Sequence, residues 1–265
     1  MTPPEARPPR FEGHRYPQII PEPGEILAGG PPPWAGVTNR TNLTLTLVTS
    51  RFREAHRLLG TDLAPQWPVE LVADDVPAPV SQRSAVLVAL FEEEGETHVV
   101  LTRRSFTMRA HRGEISFPGG RSHEGETPVE TALREADEEI GLSPSAVTPL
   151  GWLNPLATFA SGSAIFPIVG TVAERPTFVI QPSEVDRAFS VALSDLVAEG
   201  AYLEERWRRA EARAGSDPEG YFPLQFFRVP DDVIWGATAR VLSELLSVVL
   251  GVPEGDRGGS SSPSR

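Results

Sequence analysis

The most regular pattern of apolar and polar positions in the chain covers residues 127–140 and predicts an amphipathic helix. Thr127 is a good N-cap, Pro128 suits the first helical position, and Glu130 completes a capping box. Gly141 can adopt the left-handed conformation that ends a helix. Apolar residues at three- and four-residue steps predict the buried face: Val129, Ala132, Leu133, Ala136 and Ile140.

The pattern elsewhere predicts strands mixed with helices. Residues 84–91 form an apolar run typical of a buried strand, and residues 98–103 follow after an acidic turn, so the two are expected to form a hairpin. We predict an α/β (α+β) fold with a mixed sheet. The remaining expected strands are 115–117, 164–172, 177–180 and 222–229, and the remaining expected helices are 50–59, 183–189, 193–199 and 233–250.

Composition predicts one folded body with a tail at each end. Residues 1–36 are rich in Pro and lack an apolar period, so we expect a disordered tail. Residues 253–265 are rich in Gly and Ser and are expected to be a flexible tail. Residues 37–252 contain no stretch that reads as an interdomain linker, so we expect a single domain there.

Net charge and cysteine content narrow the possible partners. A formal net charge of −12 disfavours non-specific nucleic-acid binding, because phosphate contacts need clustered Lys and Arg. The apolar runs are far shorter than the roughly 20 residues of a membrane span, and no signal-peptide pattern opens the chain. With no cysteine, thiolate catalysis and thiolate zinc sites are excluded. We therefore expect a cytoplasmic protein with neither a nucleic-acid nor a membrane partner.

The polar face of the predicted helix carries candidate chemistry. Glu135, Glu138 and Glu139 are spaced so that their carboxylates are neighbours and repel one another. A hard divalent cation such as Mg²⁺ would reverse that repulsion, since it prefers oxygen ligands. The helix alone leaves a second interpretation open, in which this is a solvated acidic face with Arg134 as its ion-pair partner.

The surrounding residues resemble the signature of a known family. Gly120, five residues, Glu126, seven residues and the run READEEIGL at 134–142 match the Nudix box at each of its defined positions. The resemblance implies the Nudix fold, a mixed sheet sandwiched between helices, and hydrolysis of pyrophosphate bonds in a small-molecule substrate. It also implies roles by position, with Mg²⁺ or Mn²⁺ held by Glu135, Glu138 and Glu139, Glu126 supporting them, Arg134 orienting the glutamates, and Gly119 and Gly120 turning the backbone beside the phosphates.

The segment before the box narrows the resemblance. Residues 100–120 read VLTRRSFTMRAHRGEISFPGG, which is similar to the additional signature of the coenzyme A pyrophosphatase branch of Nudix enzymes. Arginines suit the substrate phosphates because their guanidinium groups bind phosphate oxygens bidentately. We expect Arg104 and Arg109, which match the signature, and Arg103 to bind substrate. Phe106 and Met108 are expected to pack in the core.

The expected reaction is metal-dependent hydrolysis of coenzyme A or acyl-CoA to 3′,5′-ADP and 4′-phosphopantetheine. Glu138 and then Glu184 are the candidates for the general base, although Glu184 also suits a charge at a helix start. Two alternatives stay open at this point. One is a Nudix pyrophosphatase acting on NADH or ADP-ribose, and the other is a Nudix-fold binding module without turnover.

Overall fold

A computed structural model describes residues 18, 20–21, 23–58, 67, 70–73, 76–79, 82–108, 110–158, 163–208 and 219–256. Within these ranges the helices are α1 (Leu45–Leu58), α2 (Pro128–Ile140), α3 (Leu193–Leu196) and α4 (Gly236–Val249). The strands are β1 (Ile26–Ala28), β2 (Glu70–Ala73), β3 (Val76–Pro79), β4 (Gln82–Glu93), β5 (Glu96–Arg104), β6 (Ile115–Ser116), β7 (Gly119–Arg121), β8 (Val147–Trp152), β9 (Leu156–Thr158), β10 (Ser163–Val172), β11 (Val185–Ala192), β12 (Tyr202–Arg208), β13 (Tyr221–Val229) and β14 (Asp232–Trp235).

The larger sheet is mixed and has the order β11-β5-β4-β10-β8, with β6, β7 and β9 attached to β5, β4 and β10. Strands β4 and β10 pair in parallel, and the other pairings are antiparallel. The expected hairpin of β4 and β5 is confirmed, with its turn at Glu94 and Gly95. Strand β4 therefore lies at the centre of the sheet, next to the short strand that enters α2.

Alternation along β4 explains the layering of the molecule. Leu87 and Ala89 face a core that contains Ala132, Ala136 and Ile140 of α2. Val88 and Leu90 face the opposite core, which also contains apolar residues of α1 and α4. Because successive side chains of a strand point to opposite faces, a continuous apolar run is what a strand covered on both sides requires. The predicted fold class, a mixed sheet between helices, is confirmed.

A smaller antiparallel sheet, ordered β1-β12-β13-β14, carries the chain into α4. Its first strand and the buried Trp34, which is 1% exposed, lie within the segment predicted to be a tail. Trp34 stacks on Phe227 with ring centroids 6.1 Å apart. Residues 23–36 are thus part of the folded body. The high proline content of this segment led to the wrong prediction of a tail.

Three other predicted elements differ in the structure. Residues 177–180 form no strand. The Val179 N–H donates a hydrogen bond to the Ile140 carbonyl at the end of α2 instead. The predicted helix 183–189 is wrong, because a turn at 182–184 leads into β11, which pairs along β5. The predicted helix 233–250 begins as the strand β14, and α4 starts only at Gly236. The error at 183–189 comes from pairing with the distant β5, which overrides local preference. The error at 233–235 comes from a hairpin with the adjacent β13. None of the described helices is long and apolar enough to cross a membrane.

Candidate functional site

Helix α2 is fixed at both ends by the residues that predicted it. The Thr127 hydroxyl accepts a hydrogen bond from the Glu130 backbone N–H at 3.3 Å, and Glu130 Oε2 accepts one from the Thr127 N–H at 2.8 Å. Gly141 ends the helix in the left-handed conformation, with φ 70°. The capping box and the C-cap are confirmed. These caps fix where α2 begins and ends. They thereby fix which of its residues face the sheet and which of them place carboxylates at the edge of the sheet.

Two glycines bring the backbone before α2 against its carboxylates. A Cβ on Gly119 would lie 2.4 Å from the Ala85 carbonyl oxygen, so only glycine allows β7 to approach β4 this closely. The Gly119 N–H donates to Glu139 Oε2 at 3.1 Å. A Cβ on Gly120 would lie 2.4 Å from Glu135 Oε2. The backbone of β7 and the two glutamates thus form one compact surface.

Arg134 gathers the remaining carboxylates. Its Nε donates to Glu126 Oε1 at 2.7 Å, and its Nη1 donates to Glu135 Oε1 at 2.9 Å and to Glu138 Oε2 at 3.0 Å. Its Nη2 donates to the Arg121 carbonyl at 2.8 Å, which ties the loop before α2 to the helix. Arg134 is therefore the ion-pair partner of these carboxylates, and the same contacts are compatible with the expected orienting role.

The carboxylates of this cluster differ in electrostatic environment. Burial raises the pKa of Glu139, which is 4% exposed, to about 7, although the Gly119 N–H and Arg104 oppose the shift. Burial also raises the pKa of Glu135, and the charge of Glu184 raises both values. The hydrogen bond from Arg134 lowers the pKa of Glu126 to about 2. Glu139 and Glu135 therefore carry a carboxylate charge that the protein alone compensates incompletely.

The structure brings most of the predicted site residues together. Glu184 approaches the cluster from the turn before β11, whose Gln181 N–H donates to the Glu139 carbonyl at 2.9 Å. Arg104 reaches it from the end of β5, and its Nε is buried with no hydrogen-bond partner in the described structure. Arg109 lies outside the described residues, so its predicted substrate contact stays a prediction.

Two predictions on this segment are corrected. The structure does not bring Arg103 to the cluster, because its guanidinium donates to Asp186 at 2.8 Å and to Asp232 at 3.1 Å. Phe106 is 40% exposed rather than packed in the core, and its ring covers Gly113. A Cβ on Gly113 would lie 2.4 Å from that ring, so the Phe106 side chain lies directly against the Gly113 backbone.

Trp67, which no pattern in the sequence indicated, supports the site. The Trp67 Nε1–H donates to the Glu126 carbonyl at 2.6 Å, and its ring packs edge-on against Phe166 with centroids 6.0 Å apart. No local pattern could have indicated this contact, because 59 residues separate the two partners. A partly buried tryptophan thus holds the loop that presents Glu126.

Comparison with known proteins places this geometry in a family. The profile of the NUDIX domain matches residues 81–212. Nudix hydrolase 22, chloroplastic, of Arabidopsis thaliana is 33% identical over 213 residues, which cover 76% of this chain and 68% of that protein. An uncharacterized Nudix hydrolase NudL of Yersinia enterocolitica is 35% identical over 170 residues, which cover 64% of this chain and 82% of that protein. The chain belongs to the Nudix hydrolase family.

Membership makes this Nudix protein a pyrophosphohydrolase, as the box of residues 120–142 implied. Among solved structures, a C. elegans Ap4A hydrolase in a binary complex is 19% identical, with a TM-score of 0.39, and the match covers 44% of this chain and 83% of that one. Nudix hydrolases as a family use divalent metal ions, which directs attention to the carboxylates of α2.

The carboxylates on α2 suit such an ion. In the described part of the chain, no three His, Asp or Glu side chains converge as they would around a bound metal. Oxygens of Glu135 and Glu138 instead accept hydrogen bonds from Arg134. The donors are nevertheless all carboxylate oxygens, the type that hard divalent cations prefer. The buried Glu139 beside like charges is the observation that favours a cation here.

The close approach at Gly120 gives a test of the predicted metal site. In Gly120→Ala the new Cβ would overlap the Glu135 carboxylate, so that carboxylate must move away. We expect Mn²⁺ to bind about 10- to 100-fold more weakly, with little change in melting temperature because the neighbour that must yield is the end of a flexible side chain. Titration calorimetry with Mn²⁺ measures the affinity.

Gly36→Ala is the matched control, because a Cβ there meets no atom within 4 Å. Unchanged Mn²⁺ affinity in Gly120→Ala, equal to that of the control, would remove Glu135 from the ligand set.

Proposed function

We propose that this Nudix hydrolase cleaves the diphosphate of coenzyme A or of its acyl esters, releasing 3′,5′-ADP and 4′-phosphopantetheine. The observation that carries the proposal is the position of the segment 100–120. Its signature residue Arg104 lies at the end of β5, close enough to Glu139 to lower the pKa of that carboxyl group. The buried, unpaired Nε of Arg104 is a hydrogen-bond donor available to a phosphate oxygen. A diphosphate bound between Arg104 and a metal ion on the carboxylate cluster would have its negative charge neutralised from both sides.

We assign the metal ligands to Glu135, Glu138 and Glu139, with Glu126 in support. Bound Mg²⁺ or Mn²⁺ would supply charge neutralisation on the diphosphate and a water of lowered pKa. Arg134 orients Glu126, Glu135 and Glu138 through the hydrogen bonds described above. Gly119 and Gly120 have no side chains, so the backbone beside the carboxylates leaves room for phosphate oxygens.

The proton of the attacking water goes to a carboxylate of the protein. Glu138 is our first candidate for this base, because its side chain is 57% exposed and therefore accessible to solvent water. Glu184 is the second candidate, because its charge acts on Glu135 and Glu139 of the same cluster. As the water oxygen bonds to one phosphorus, the bond between that phosphorus and the bridging oxygen breaks, and the bridging oxygen leaves on the other phosphate.

Product identification tests the proposal directly. The protein is incubated with coenzyme A and Mg²⁺ or Mn²⁺, and the products are separated and identified by mass spectrometry. Appearance of 3′,5′-ADP and 4′-phosphopantetheine supports the proposal. Cleavage of NADH or ADP-ribose with coenzyme A untouched would assign a different diphosphate, and absence of turnover on all three would favour a binding module.

The two signature arginines are expected to act on different phosphates. Arg104 lies beside the carboxylate cluster, so Arg104→Ala should raise KM about 10-fold or more for coenzyme A and for dephospho-coenzyme A alike, as for loss of a charge-assisted hydrogen bond. Arg109→Ala should raise KM more for coenzyme A than for the analogue, which lacks the 3′-phosphate. Steady-state kinetics on both substrates measures the two ratios.

Arg112→Ala is the control, since that arginine is exposed and bonds the Met108 carbonyl of its own loop. Equal KM values for Arg104→Ala and this control would show that Arg104 binds no substrate phosphate.

A further inference from the structure

A β-bulge interrupts β11 beside the site. Val185 pairs with Arg104, and Arg187 pairs with Arg103, so Asp186 is one extra residue without a partner on β5. A bulge bends its strand and redirects the side chains around it, and such irregularities are frequent near active sites. The bulge separates the regular part of β11 from the turn that presents Glu184.

Arg103 holds the bulged residue in place. Its Nε donates to Asp186 Oδ2 at 2.8 Å, and its Nη1 donates to Asp232 Oδ2 at 3.1 Å. The Asp232 side chain is 0% exposed and belongs to β14 in the smaller sheet. Because Asp232 is buried, it fixes the arginine more firmly than a surface carboxylate would. Arg103 therefore connects the bulge to the interior of the molecule.

The turn beyond the bulge is tied to both sides of the site. The Glu184 carbonyl accepts a hydrogen bond from the Ser105 N–H at 2.8 Å, which attaches it to the end of β5. The Glu184 N–H donates to the Gln181 carbonyl at 3.0 Å, and the Gln181 N–H donates to the Glu139 carbonyl at 2.9 Å, which attaches the turn to α2. The backbone of Glu184 is thus held between the strand that carries Arg104 and the helix that carries the cluster.

We propose that the Arg103–Asp186 ion pair is a positioning device that locks the bulge and thereby holds the Glu184 carboxylate at the cluster on α2. Glu184 is exposed and negatively charged, so repulsion from Glu135 and Glu139 favours its turning away into solvent. The ion pair opposes that motion by fixing the backbone two residues further on. The inference rests on the proposed function in one respect, which is that Glu184 takes part in the reaction.

Asp186→Ala is the test variant, because it releases the bulge and leaves the buried pair of Arg103 and Asp232 intact. Asp186 lies on an edge strand and is partly exposed, so the fold is expected to persist. Hydrogen exchange at the Ser105 N–H should become at least about 10-fold faster, because that N–H is bonded to Glu184. The kcat should fall about 10- to 100-fold, as for other residues that orient a reacting group, while KM stays within about twofold.

Asp195→Ala is the matched control, an exposed aspartate on the short helix after β11 with no described side-chain contact to the site. It should change neither Ser105 exchange nor kcat. In a Glu184→Gln background, Asp186→Ala should lower kcat no further, because the residue it positions has already lost its charge.

The outcomes separate this inference from the proposed function. Unchanged Ser105 exchange in Asp186→Ala overturns the lock, whatever the activity. Faster exchange with unchanged kcat, a full additional loss in the Glu184→Gln background, or full activity of Glu184→Gln itself overturns the positioning role, and hydrolysis of coenzyme A then still stands. Failure of the wild-type protein to cleave coenzyme A rejects the proposed substrate only, and the same variants are then read on the diphosphate that is cleaved.

Discussion

Glu138→Gln is expected to lower kcat by about 10²- to 10⁴-fold with Mg²⁺, the range for loss of a group that supports the metal or accepts the water proton. Glutamine keeps the shape of the side chain but removes the charge that a divalent cation and a proton both require. The fold should hardly respond, because the Glu138 side chain is 57% exposed and contacts Arg134 at the surface. Steady-state kinetics and a thermal melt of the same sample separate the two effects.

Asp137→Asn supplies the matched control for this substitution. Asp137 is exposed on the same helix, and its side chain makes no described contact with the site. It should keep wild-type kcat and metal dependence. A Glu138→Gln protein as active as this control would exclude Glu138 from both the ligand set and the chemistry, and Glu184 would become the leading base.

Arg103→Ala is expected to reduce the free energy of unfolding by about 3 kcal/mol or more, the typical cost of leaving a buried carboxylate without its partner. Asp232 is fully buried, and Arg103 is the cation that donates to it at 3.1 Å. Burial already raises the pKa of Asp232; Arg103 opposes that shift most, and the charge of Arg187 opposes it less. Chemical denaturation measures this loss of free energy. A thermal melt should show a melting temperature lower by about 10 °C.

A second substitution distinguishes this cause from loss of packing. Adding Asp232→Asn to Arg103→Ala removes the uncompensated charge, so the double variant should recover part of the lost stability. Arg112→Ala, which removes an exposed arginine from the same segment, should leave stability within about 0.5 kcal/mol. If Arg103→Ala were as stable as wild type, the buried pair would contribute nothing to folding, and Arg103 would be free for a role in binding.

Sequence predicted the Nudix helix well because its determinants are local. Thr127, Glu130 and Gly141 act on backbone groups within one turn, and the periodic apolar residues need only a covered face. The continuous apolar run of β4 was equally informative, since few structures other than a strand buried on both faces suit it. Short-range rules therefore sufficed for the elements that present the carboxylates.

Contacts between distant residues explain what the sequence concealed. Arg103 and Asp232 are 129 positions apart, and nothing in either neighbourhood indicates an ion pair. Residues 183–189 carry charges that suit a helix start, yet β5 offers them a strand partner. Trp34 stands among prolines, and only the fold shows that it fills a core. The clustering of the box carboxylates on α2 was predictable, whereas the residues that hold the box in place were not.

Strand β1 has a consequence for how the protein can be shortened. Its three residues pair with Glu205, Arg206 and Trp207 of β12 and so cover that flank of the smaller sheet. A protein starting at residue 37 would present the bare hydrogen-bonding groups of β12 to solvent, which invites self-association strand to strand. It would also lack Trp34, and an emptied tryptophan site costs about 3–5 kcal/mol. Removal of residues 1–36 would therefore yield a less stable protein that tends to aggregate.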